Sequence, residues 1–378
     1  MTSNQNPFTQ SIEATDNFPY GFAELEAAAK EKLPTPFFGY IQSGASGEET
    51  LRNNEAAFEK YALVPRFLND VSNLDTSIEL LGKTYDHPFL LAPVGMLKMA
   101  DEEAELAVAK AAANYHVPFI QSTVSTYSIE EIEAAAKNSP KWFQLYWSRD
   151  EKVSYSMVNR AEKAGYDAIV LTVDTFILGF REEDKRNQFS PLKKGFGKAN
   201  YETDEAFLQS LSEHTDEAVI QKIVDHLYHP HLSWNHIAEL KKRTSLPILL
   251  KGILHPEDAL LAIENGIDGI IVSNHGGRQL DGVIASLDAL PAVAKAVSGK
   301  LPVLLDSGIR RGTDIVKALA LGADAVLFGR PFVYGLALEG QRGVEKVLAN
   351  LIQETNVSLT LAGATDIASA KRMKVTRI

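Results

Sequence analysis

The stretch 273–281 reads Ser-Asn-His-Gly-Gly-Arg-Gln-Leu-Asp and brings together three residue types that could do chemistry. His275 is a potential base, Gly276 and Gly277 carry no side-chain bulk, and Arg278 is a cation. A base beside a fixed positive charge on a glycine-rich turn suits the removal of a proton from an acid that carries a carboxylate. Alternatively, the histidine and the arginine are solvated side chains of a loop, and this short motif alone leaves both interpretations open.

Further polar residues stand where other short apolar runs end. They would converge on one site if those runs are strands of a parallel barrel, whose active site lies at the carboxyl ends of the strands. These candidates are Ser122, Gln144, Tyr146, Thr172, Asp174, Lys251, Ser273 and Asp306. At the end of the first strand, Pro93, Val94 and Gly95 offer their backbone instead of a polar side chain. Each also has a structural interpretation, such as capping a loop or forming an ion pair at the rim. Those separate explanations would have to coincide at one strand after another, which favours a shared site.

The elements that must position these residues repeat from Pro88 onward as a short apolar run, a polar turn and an alanine-rich helical segment. The eight predicted strands are 89–93, 118–122, 142–146, 168–173, 247–251, 269–273, 302–306 and 325–329. Buried strands that alternate with amphipathic helices indicate parallel βα units, and eight of them predict an α/β fold closed as a (β/α)8 TIM barrel. An open doubly wound sheet is the alternative, but no Gly-x-Gly-x-x-Gly turn follows the first strand.

The segments around the barrel complete a single predicted domain. Residues 1–87 are predicted to form an N-terminal helical cap, with a lead-in over 1–20 and helices over 21–32 and 48–61. Pro34 and Pro36 are expected to interrupt the first helix. The barrel is predicted over 88–335, and C-terminal helices are predicted over 336–378.

A long insertion after the fourth strand, at about 181–235, predicts a lid over the top of the barrel. Helical patterns cover 204–211 and 217–228. The insertion also carries His226, His229, His231 and His236. Their spacing matches no standard metal-binding pattern, so packing of the loop is expected and no metal site is predicted.

Bulk composition limits the function classes. The 378 residues carry a formal net charge of -11, which argues against a nucleic-acid partner, since phosphate backbones need a basic face. The chain has no cysteine, so disulfides, thiolate metal sites and a cysteine nucleophile are excluded. No apolar run has the length of a membrane span and no signal-peptide pattern is present, which favours a cytoplasmic location.

The turns after the seventh and eighth strands predict a phosphate site. Loops at this position commonly bind phosphate in such barrels, through free backbone N–H groups and a helix N-terminus. The candidates are Gly308, Arg310, Gly329 and Arg330. Inward of them, Gln144, Thr172, Lys251 and Ser273 would give a ring of hydrogen-bonding groups with one cation. Such a ring suits a flat heterocycle, and flavin mononucleotide (FMN) fits.

With these residues assembled, the chain resembles the FMN-dependent L-2-hydroxy acid oxidising family, which includes lactate oxidase, glycolate oxidase and lactate 2-monooxygenase. The matching pieces span nearly the whole chain in the family's order. They are Tyr40, Ala92-Pro-Val-Gly95, Gln144-Leu-Tyr146, Thr172-Val-Asp174, Arg181-Glu-Glu-Asp-Lys-Arg-Asn187, Lys251-Gly252, the stretch 273–281, Asp306-Ser-Gly-Ile-Arg310 and Gly329-Arg-Pro331. The Ser-Asn-His-Gly-Gly-Arg-Gln stretch is highly specific to this family.

The resemblance implies a role for each matching residue in the reaction. His275 would be the base that takes a proton from the 2-hydroxy acid, and Asp174 would stabilise the imidazolium that forms. Arg181 and Arg278 would clamp the substrate carboxylate, with help from Tyr40. Tyr146 would hydrogen-bond the hydroxyl or the developing carbonyl.

The resemblance also implies the contacts of the flavin. Ser122, Gln144, Thr172, Lys251 and Ser273 would meet its ring, together with the backbone of residues 93–95. Asp306 would meet the ribityl chain, and Gly308, Arg310, Gly329 and Arg330 would lie near the phosphate. O2 would reoxidise the flavin and release hydrogen peroxide, and the family suggests a homotetramer.

Several departures from the family pattern bear on the product. Val124 stands where many members carry tyrosine or tryptophan, and Phe176 where many have proline. The seventh strand ends Asp-Ser-Gly instead of the commoner Asp-Gly-Gly, and Gly95 stands where several oxidases have alanine. The Lys251-Gly-Ile-Leu-His-Pro256 stretch, the Asp-Ser-Gly turn and the long lid resemble the lactate 2-monooxygenase branch, whose products are acetate, CO2 and water. L-lactate oxidase and lactate 2-monooxygenase therefore both stay open. A phosphate-binding barrel without redox chemistry is the distant alternative.

Overall fold

The structure is a computed structural model that describes residues 17–378. It begins with a helical cap made of α1 (Phe22–Lys32), α2 (Thr35–Gln42) and α3 (Glu49–Glu59). Residues 1–16 of the predicted lead-in lie outside the described residues. The sequence predicts α1 and α3, and the first helix does end just before Pro34 and Pro36. The helix α2 was not predicted. The two prolines open it, because the first turn of a helix does not use their missing backbone N–H groups.

A strand and a hairpin connect the cap to the barrel. The strand is β1 (Tyr61–Val64), and the hairpin joins β2 (Ile78–Leu80) to β3 (Lys83–Tyr85). Leu81 and Gly82 form its two-residue turn with φ values of 54° and 76°. Positive φ at both central residues is the requirement of the tight turn that matches the twist of two antiparallel strands.

Eight parallel strands form a closed barrel and confirm the predicted fold. They are β4 (Phe89–Leu91), β5 (Phe119–Ser122), β6 (Lys141–Leu145), β7 (Ala168–Thr172), β8 (Ile248–Ile253), β9 (Gly269–Val272), β10 (Val303–Leu305) and β11 (Ala325–Phe328). The strands pair in chain order, and β11 closes the barrel on β4. Almost every strand residue is buried, because side chains fill the barrel and helices cover it. Each strand lies within two residues of its predicted bounds.

The helices follow the strands around the barrel. They are α4 (Ala104–Asn114), α5 (Ile129–Ala135), α6 (Glu151–Lys163), α7 (Glu182–Arg186), α8 (Ala199–Glu202), α9 (Glu205–Gln209), α10 (Asp216–Leu227), α11 (Trp234–Lys241), α12 (Pro256–Glu264), α13 (Ser286–Val297), α14 (Gly312–Ala320), α15 (Arg330–Ala362) and α16 (Ile367–Lys371). Within the described residues, none of them is both long enough and apolar enough to cross a membrane.

The C-terminal segment contains more than the predicted helices. After α15 and α16 the chain adds β12 (Lys374–Arg377), which pairs antiparallel with β1. This short polar strand carries no clear hydrophobic alternation, so the sequence pattern did not reveal it. The pairing ties the end of the described chain to the segment that leaves the cap.

The insertion between β7 and β8 holds α7 to α11, and α9 and α10 lie where helices were predicted. Asn200 in α8 is fully buried and fastens the insertion to the end of β5. Its Nδ2 donates to the carbonyl oxygens of Ser122 (3.3 Å) and Thr123 (3.1 Å). Its Oδ1 accepts from the backbone N–H of Ile129 at 3.0 Å. The insertion is thereby fixed over the carboxyl end of the barrel.

The histidines of the insertion pack against their neighbours. His226 Nδ1 lies 2.8 Å from Ser148 Oγ, and the rings of His229 and His236 have centroids 5.1 Å apart. Across residues 17–378, no three side chains of histidine, cysteine, aspartate or glutamate are grouped in a way that could hold a metal ion.

Candidate active site

A large pocket opens at the carboxyl ends of the barrel strands, where the sequence predicted the site. Its empty volume is about 1090 Å³, open solvent at the mouth included. The predicted residues that line it are Tyr40, Pro93, Val94, Gly95, Ser122, Tyr146, Arg181, Lys251, His275, Arg278, Asp306, Gly308, Arg310, Gly329 and Arg330. The remaining predicted residues lie behind this lining and hydrogen-bond to it or to one another. They are Gln144, Thr172, Asp174 and Ser273.

The turn that presents His275 is held at each of three consecutive backbone N–H groups by a side-chain oxygen. These bonds are His275 N to Ser273 Oγ (3.0 Å), Gly276 N to Ser307 Oγ (2.9 Å) and Gly277 N to Asn274 Oδ1 (3.1 Å). We call residues 273–278 the His275 turn. A Cβ on Gly277 would lie 2.7 Å from the backbone nitrogen of Leu51, so glycine lets the cap helix α3 pack directly on this turn.

His275 is oriented by a carboxylate on one side and faces the pocket on the other. Its Nδ1 lies 2.8 Å from Asp174 Oδ1, so a proton on Nδ1 is donated to that carboxylate. Its Nε2 lies 3.4 Å from the hydroxyl of Tyr146, and the two rings stack at an interplanar angle of 15°. This tautomer leaves the Nε2 lone pair free to accept a proton in the pocket.

Burial and charge set the protonation of this pair. Burial would raise the pKa of Asp174, but the nearby positive charges of His275 and Lys251 and its hydrogen bonds lower it to about 2. Burial lowers the pKa of His275, and the Asp174 charge opposes that shift. At neutral pH the arrangement therefore offers a neutral imidazole beside an ionised carboxylate, which is the state a general base requires.

Two arginines stand close together beside Tyr40. Arg278 Nη1 donates to the carbonyl oxygens of Tyr40 (2.7 Å) and Ser43 (2.6 Å). The guanidinium carbons of Arg278 and Arg181 lie 4.8 Å and 5.6 Å from the centroid of the Tyr40 ring. Burial and the neighbouring Arg181 charge lower the pKa of Arg278 to about 9. Arg181 Nη1 lies 4.0 Å from Asp184 Oδ2, so the two cations share one nearby carboxylate. The remaining positive charge favours a bound anion.

A buried ammonium lies deeper in the pocket. Lys251 Nζ is 3.3 Å from Asp306 Oδ2 and donates to Ser273 Oγ at 3.1 Å. Burial would lower the pKa of Lys251, but the charges of Asp306 and Asp174 raise it overall. A β-bulge follows Lys251, and a Cβ on Gly252 would lie 2.7 Å from Asp174 Cβ. Glycine at this position lets β8 approach Asp174 closely.

A chain of hydrogen bonds crosses three neighbouring strand ends. Ser122 Oγ donates to Gln144 Oε1 at 3.1 Å, and Gln144 Nε2 donates to Thr172 Oγ1 at 3.0 Å. All three residues are buried. Of the three residues, Ser122 lines the pocket, so this set of hydrogen bonds reaches the pocket at the Ser122 side chain.

The turns after β10 and β11 form the opposite, cationic end of the pocket. Arg310 Nη2 donates to Glu55 Oε1 at 2.8 Å, whereas its Nε is buried without a hydrogen-bond partner. Arg330 Nε donates to the carbonyl oxygen of Ile41 at 3.1 Å, and its Nη2 donates to that of Ser43 at 3.1 Å. An anion here would satisfy the buried Arg310 Nε–H, as a phosphate does at such a barrel position.

Another part of the pocket lining consists of backbone and apolar side chains. We call residues 93–96 together with Val124 the Gly95 wall. A Cβ on Gly95 would lie 2.6 Å from Val124 Cγ2 and 2.7 Å from the Val124 carbonyl oxygen. Met96 has a φ of 61° and places its sulfur 3.9 Å from the Tyr40 hydroxyl. The wall therefore limits space without adding an ionisable group.

Sequence reasoning missed several residues that shape the site. Met96 and Ser307 line the pocket, and Asn54 lies behind it. Asn54 and Asn274 exchange two amide hydrogen bonds of 2.8 Å and 2.7 Å, which join the cap to the His275 turn. No local pattern distinguishes Asn54 from any other helical asparagine, because its partner lies 220 residues away. The sequence shows Ser307 as a departure in the Asp-Ser-Gly turn, but it predicts no role for the residue in the site.

The residues of the pocket fit a bound FMN. The buried Arg310 Nε–H suits a phosphate, and the ammonium of Lys251 lies inward of it beside the Asp306 carboxylate and the Ser273 hydroxyl. A cation at that depth can stabilise the negative charge of a reduced flavin ring. This chemistry on an eight-stranded barrel defines the class of flavin-dependent barrel oxidoreductases.

The comparison with known proteins makes this class specific. The chain belongs to the FMN-dependent dehydrogenase family, whose pattern matches residues 29–377. It is 59% identical over 376 residues to the L-lactate oxidase of Lysinibacillus sphaericus, covering 100% of this chain and 97% of that protein. It is 46% identical over 352 residues to the L-lactate oxidase of Nostoc sp., covering 92% and 96%. The crystal structure of mandelate oxidase superposes with a TM-score of 0.87 at 40% identity, covering 95% of this chain and 99% of that one.

These findings confirm the predicted FMN-dependent L-2-hydroxy acid oxidising family. They also confirm that the chain is an oxidoreductase and that its cofactor is FMN. The close match to mandelate oxidase supports the barrel assignment independently of the strand pairing.

Proposed function

We propose that this protein oxidises a small L-2-hydroxy acid, most directly L-lactate to pyruvate, and that O2 takes up the electrons and is released as hydrogen peroxide. The observation that carries the proposal is the His275–Asp174 pair beside Arg181 and Arg278. A carboxylate-binding cation pair next to a neutral base matches the two groups of a 2-hydroxy acid. Similarity to two L-lactate oxidases supports lactate as the substrate.

The chain's own residues bind and orient the substrate in this proposal. Arg181 and Arg278 hold its carboxylate, and their planar guanidinium groups suit two-point binding better than lysine would. Tyr40 packs its ring against both guanidinium groups. The Tyr146 hydroxyl, whose pKa is raised by burial, stays protonated and hydrogen-bonds the substrate hydroxyl.

The proton leaves through His275. Its Nε2 takes a proton from the 2-hydroxy acid, and Asp174 Oδ1 stabilises the imidazolium through the bond to Nδ1. When bound, FMN supplies the two-electron acceptor of this oxidation and passes those electrons on to O2. Lys251, Ser122, Gln144, Thr172 and Ser273 would hold the flavin ring, together with the backbone of residues 93–95.

The remaining cofactor contacts lie at the cationic end of the pocket. Asp306 would meet the ribityl chain, while Gly308, Arg310, Gly329 and Arg330 would surround the phosphate. All five line the pocket. The buried Arg310 Nε–H supports the phosphate assignment, because a phosphate oxygen would complete its hydrogen bonding.

Anaerobic addition of L-lactate tests the reaction. We expect the absorbance of the oxidised flavin to bleach, and return on admission of air with one pyruvate and one hydrogen peroxide formed per turnover. A flavin that stays oxidised with L-lactate would contradict the proposed substrate. Acetate and CO2 in place of pyruvate and peroxide would instead identify the lactate 2-monooxygenase reaction, which the named relatives do not favour.

We further propose a cytoplasmic homo-oligomer, with the tetramer of the resembling family as the expected state. Four large apolar side chains near the pocket support an assembly, since their exposed fractions are high for residues of this type. They are Phe176 (46%), Ile177 (67%), Leu178 (47%) and Phe180 (57%). Light scattering on the FMN-loaded protein should give about four times the 41.4 kDa chain mass, and a monomer mass would contradict the assembly.

A further inference from the structure

Ser307 adopts a backbone conformation that suits glycine better than serine. Its φ is 74°, in the left-handed region where a side chain carries a steric cost. Gly308, the next residue, also has a positive φ, of 98°. A serine at this strained position suggests that its hydroxyl makes interactions that glycine could not make.

The hydroxyl of Ser307 joins two parts of the site. Its Oγ accepts a hydrogen bond from the backbone N–H of Gly276 at 2.9 Å and donates one to Asp306 Oδ1 at 2.8 Å. The other oxygen of that carboxylate, Oδ2, lies 3.3 Å from Lys251 Nζ. Ser307 therefore stands between the His275 turn and the buried ammonium.

The bond to Gly276 reaches the His275 turn from outside it. Ser273 and Asn274 belong to the turn itself, so their bonds would move with it. Two other outside residues also hold the turn: Ser286 Oγ accepts from the backbone N–H of Asn274 at 3.1 Å, and Arg330 Nη1 donates to the carbonyl oxygen of Gly276 at 3.3 Å. Ser307, in the turn after β10, adds the bond that joins the His275 turn to Asp306, the partner of Lys251. His275 has a φ of 60°, so its conformation also depends on contacts outside the local sequence.

We propose that Ser307 is a positioning residue for the oxidation, and that its hydroxyl fixes the His275 turn relative to the Lys251–Asp306 ion pair. The inference rests on the proposed role of His275 as the base. Ser307 acts through its two neighbours and not on the substrate carboxylate. That carboxylate is assigned to Arg278, which is held separately by the carbonyl oxygens of Tyr40 and Ser43.

Two substitutions separate the hydroxyl from the backbone strain. Ser307→Gly removes the hydroxyl and relieves the positive φ, whereas Ser307→Ala removes the hydroxyl and keeps the strain. Ser298→Gly is the matched control, because Ser298 has a φ of 50°, is exposed and caps α13 far from the pocket. His275→Asn serves as the reference for loss of the base.

The measurements are the rate of anaerobic flavin reduction by L-lactate, the affinity for pyruvate from the flavin absorbance, the FMN dissociation constant and the melting temperature. We expect both Ser307 variants to reduce their flavin about fivefold more slowly, which corresponds to about 1 kcal/mol of activation free energy. Affinities for pyruvate and FMN should stay within about twofold, because the proposal gives the Ser307 hydroxyl no contact with the substrate or with FMN. Ser307→Gly should melt no lower than the wild type, and Ser298→Gly should react normally.

Two results with the Ser307 variants would overturn the proposal. One is a normal reduction rate in Ser307→Gly; if Ser307→Ala is slow at the same time, strain and not the hydroxyl is responsible. The other is a loss of FMN affinity that accounts for the slower rate. A normal rate in His275→Asn would overturn the base assignment together with this proposal, whereas normal Ser307 variants beside an inactive His275→Asn would overturn this proposal alone.

Discussion

The two sides of the pocket, the His275 turn and the Gly95 wall, are built in opposite ways. The turn carries a base and a cation, and side-chain oxygens hold its successive N–H groups. The wall has no ionisable group, and it is packed so tightly that Gly95 has no room for a Cβ. The turn can move a proton and bind an anion, whereas the wall can only set the available space. Substitutions in the His275 turn should therefore change the reaction rate, and substitutions in the Gly95 wall should change the size of substrate that is accepted.

Replacing His275 tests the chemical side most severely. His275→Asn removes the base, and we expect flavin reduction by L-lactate to fall by about 10⁴-fold, the upper range for general base catalysis. FMN absorbance should be retained, because His275 itself makes no flavin contact in the proposed arrangement. Stopped-flow absorbance measures the rate. Reduction at more than about a tenth of the wild-type rate would contradict the assignment.

Asp174→Asn should have the next largest effect. It removes a charge-assisted hydrogen bond worth about 1.5–3 kcal/mol, so the rate should fall by about 10- to 100-fold. Activity is lost as the pH falls through the pKa of His275, since the base must be neutral. The Asp174 charge raises that pKa, so its removal should move the acid limb to lower pH. A pH–rate profile whose acid limb stays in place or moves upward would contradict the pairing.

Arg278→Lys tests the anion-binding part of the His275 turn. Arg278 Nη1 alone bonds the carbonyl oxygens of both Tyr40 and Ser43, which leaves its other N–H groups to bind a carboxylate. Lysine keeps a positive charge but loses this planar set of donors. We expect KM for L-lactate to rise about tenfold, with a smaller change in the rate of flavin reduction. Steady-state kinetics with both constants separates the two effects. An unchanged KM would show that Arg181 alone holds the carboxylate.

The comparison also shows what the sequence could reveal. The predicted residues of the His275 turn and of the strand ends meet around one pocket, because parallel strands bring their carboxyl ends to one face whatever their order in the chain. The alternation of strands and helices in the sequence is enough to predict which residues share that face. His275 and Asp174 are 101 residues apart yet meet at 2.8 Å for this reason.

The parts that the sequence did not reveal depend on packing between distant segments. Asn54 joins Asn274 through a cap helix whose approach no local pattern encodes. Asn200 fastens the insertion to β5 in the same way. The helix α2 was missed because prolines act as breaks within a helix and as starts at its first turn, and only the following residues decide between them.

Gly95→Ala tests whether the Gly95 wall is as rigid as its packing indicates. The new Cβ would meet both a side-chain carbon and the carbonyl oxygen of Val124. We expect the free energy of unfolding to fall by about 1–3 kcal/mol, as overpacked sites do. Adding Val124→Ala should restore only part of this loss, since it removes the side-chain contact and leaves the carbonyl contact. Chemical denaturation of both variants measures this, and full rescue would contradict the backbone contact.

Val124→Ala should give the effect that separates the two sides of the pocket most clearly. Removing two methyl groups enlarges the space beside Gly95, so kcat/KM for L-2-hydroxy acids with longer chains should rise about tenfold relative to L-lactate. The acid limb of the pH–rate profile should not move, because Val124 contributes no charge to His275. Val333→Ala makes the same deletion at another buried position of the pocket lining and should leave the preference unchanged. A shifted acid limb in Val124→Ala would mean that the Gly95 wall and the His275 turn are coupled, and that substrate size and proton transfer cannot be adjusted independently.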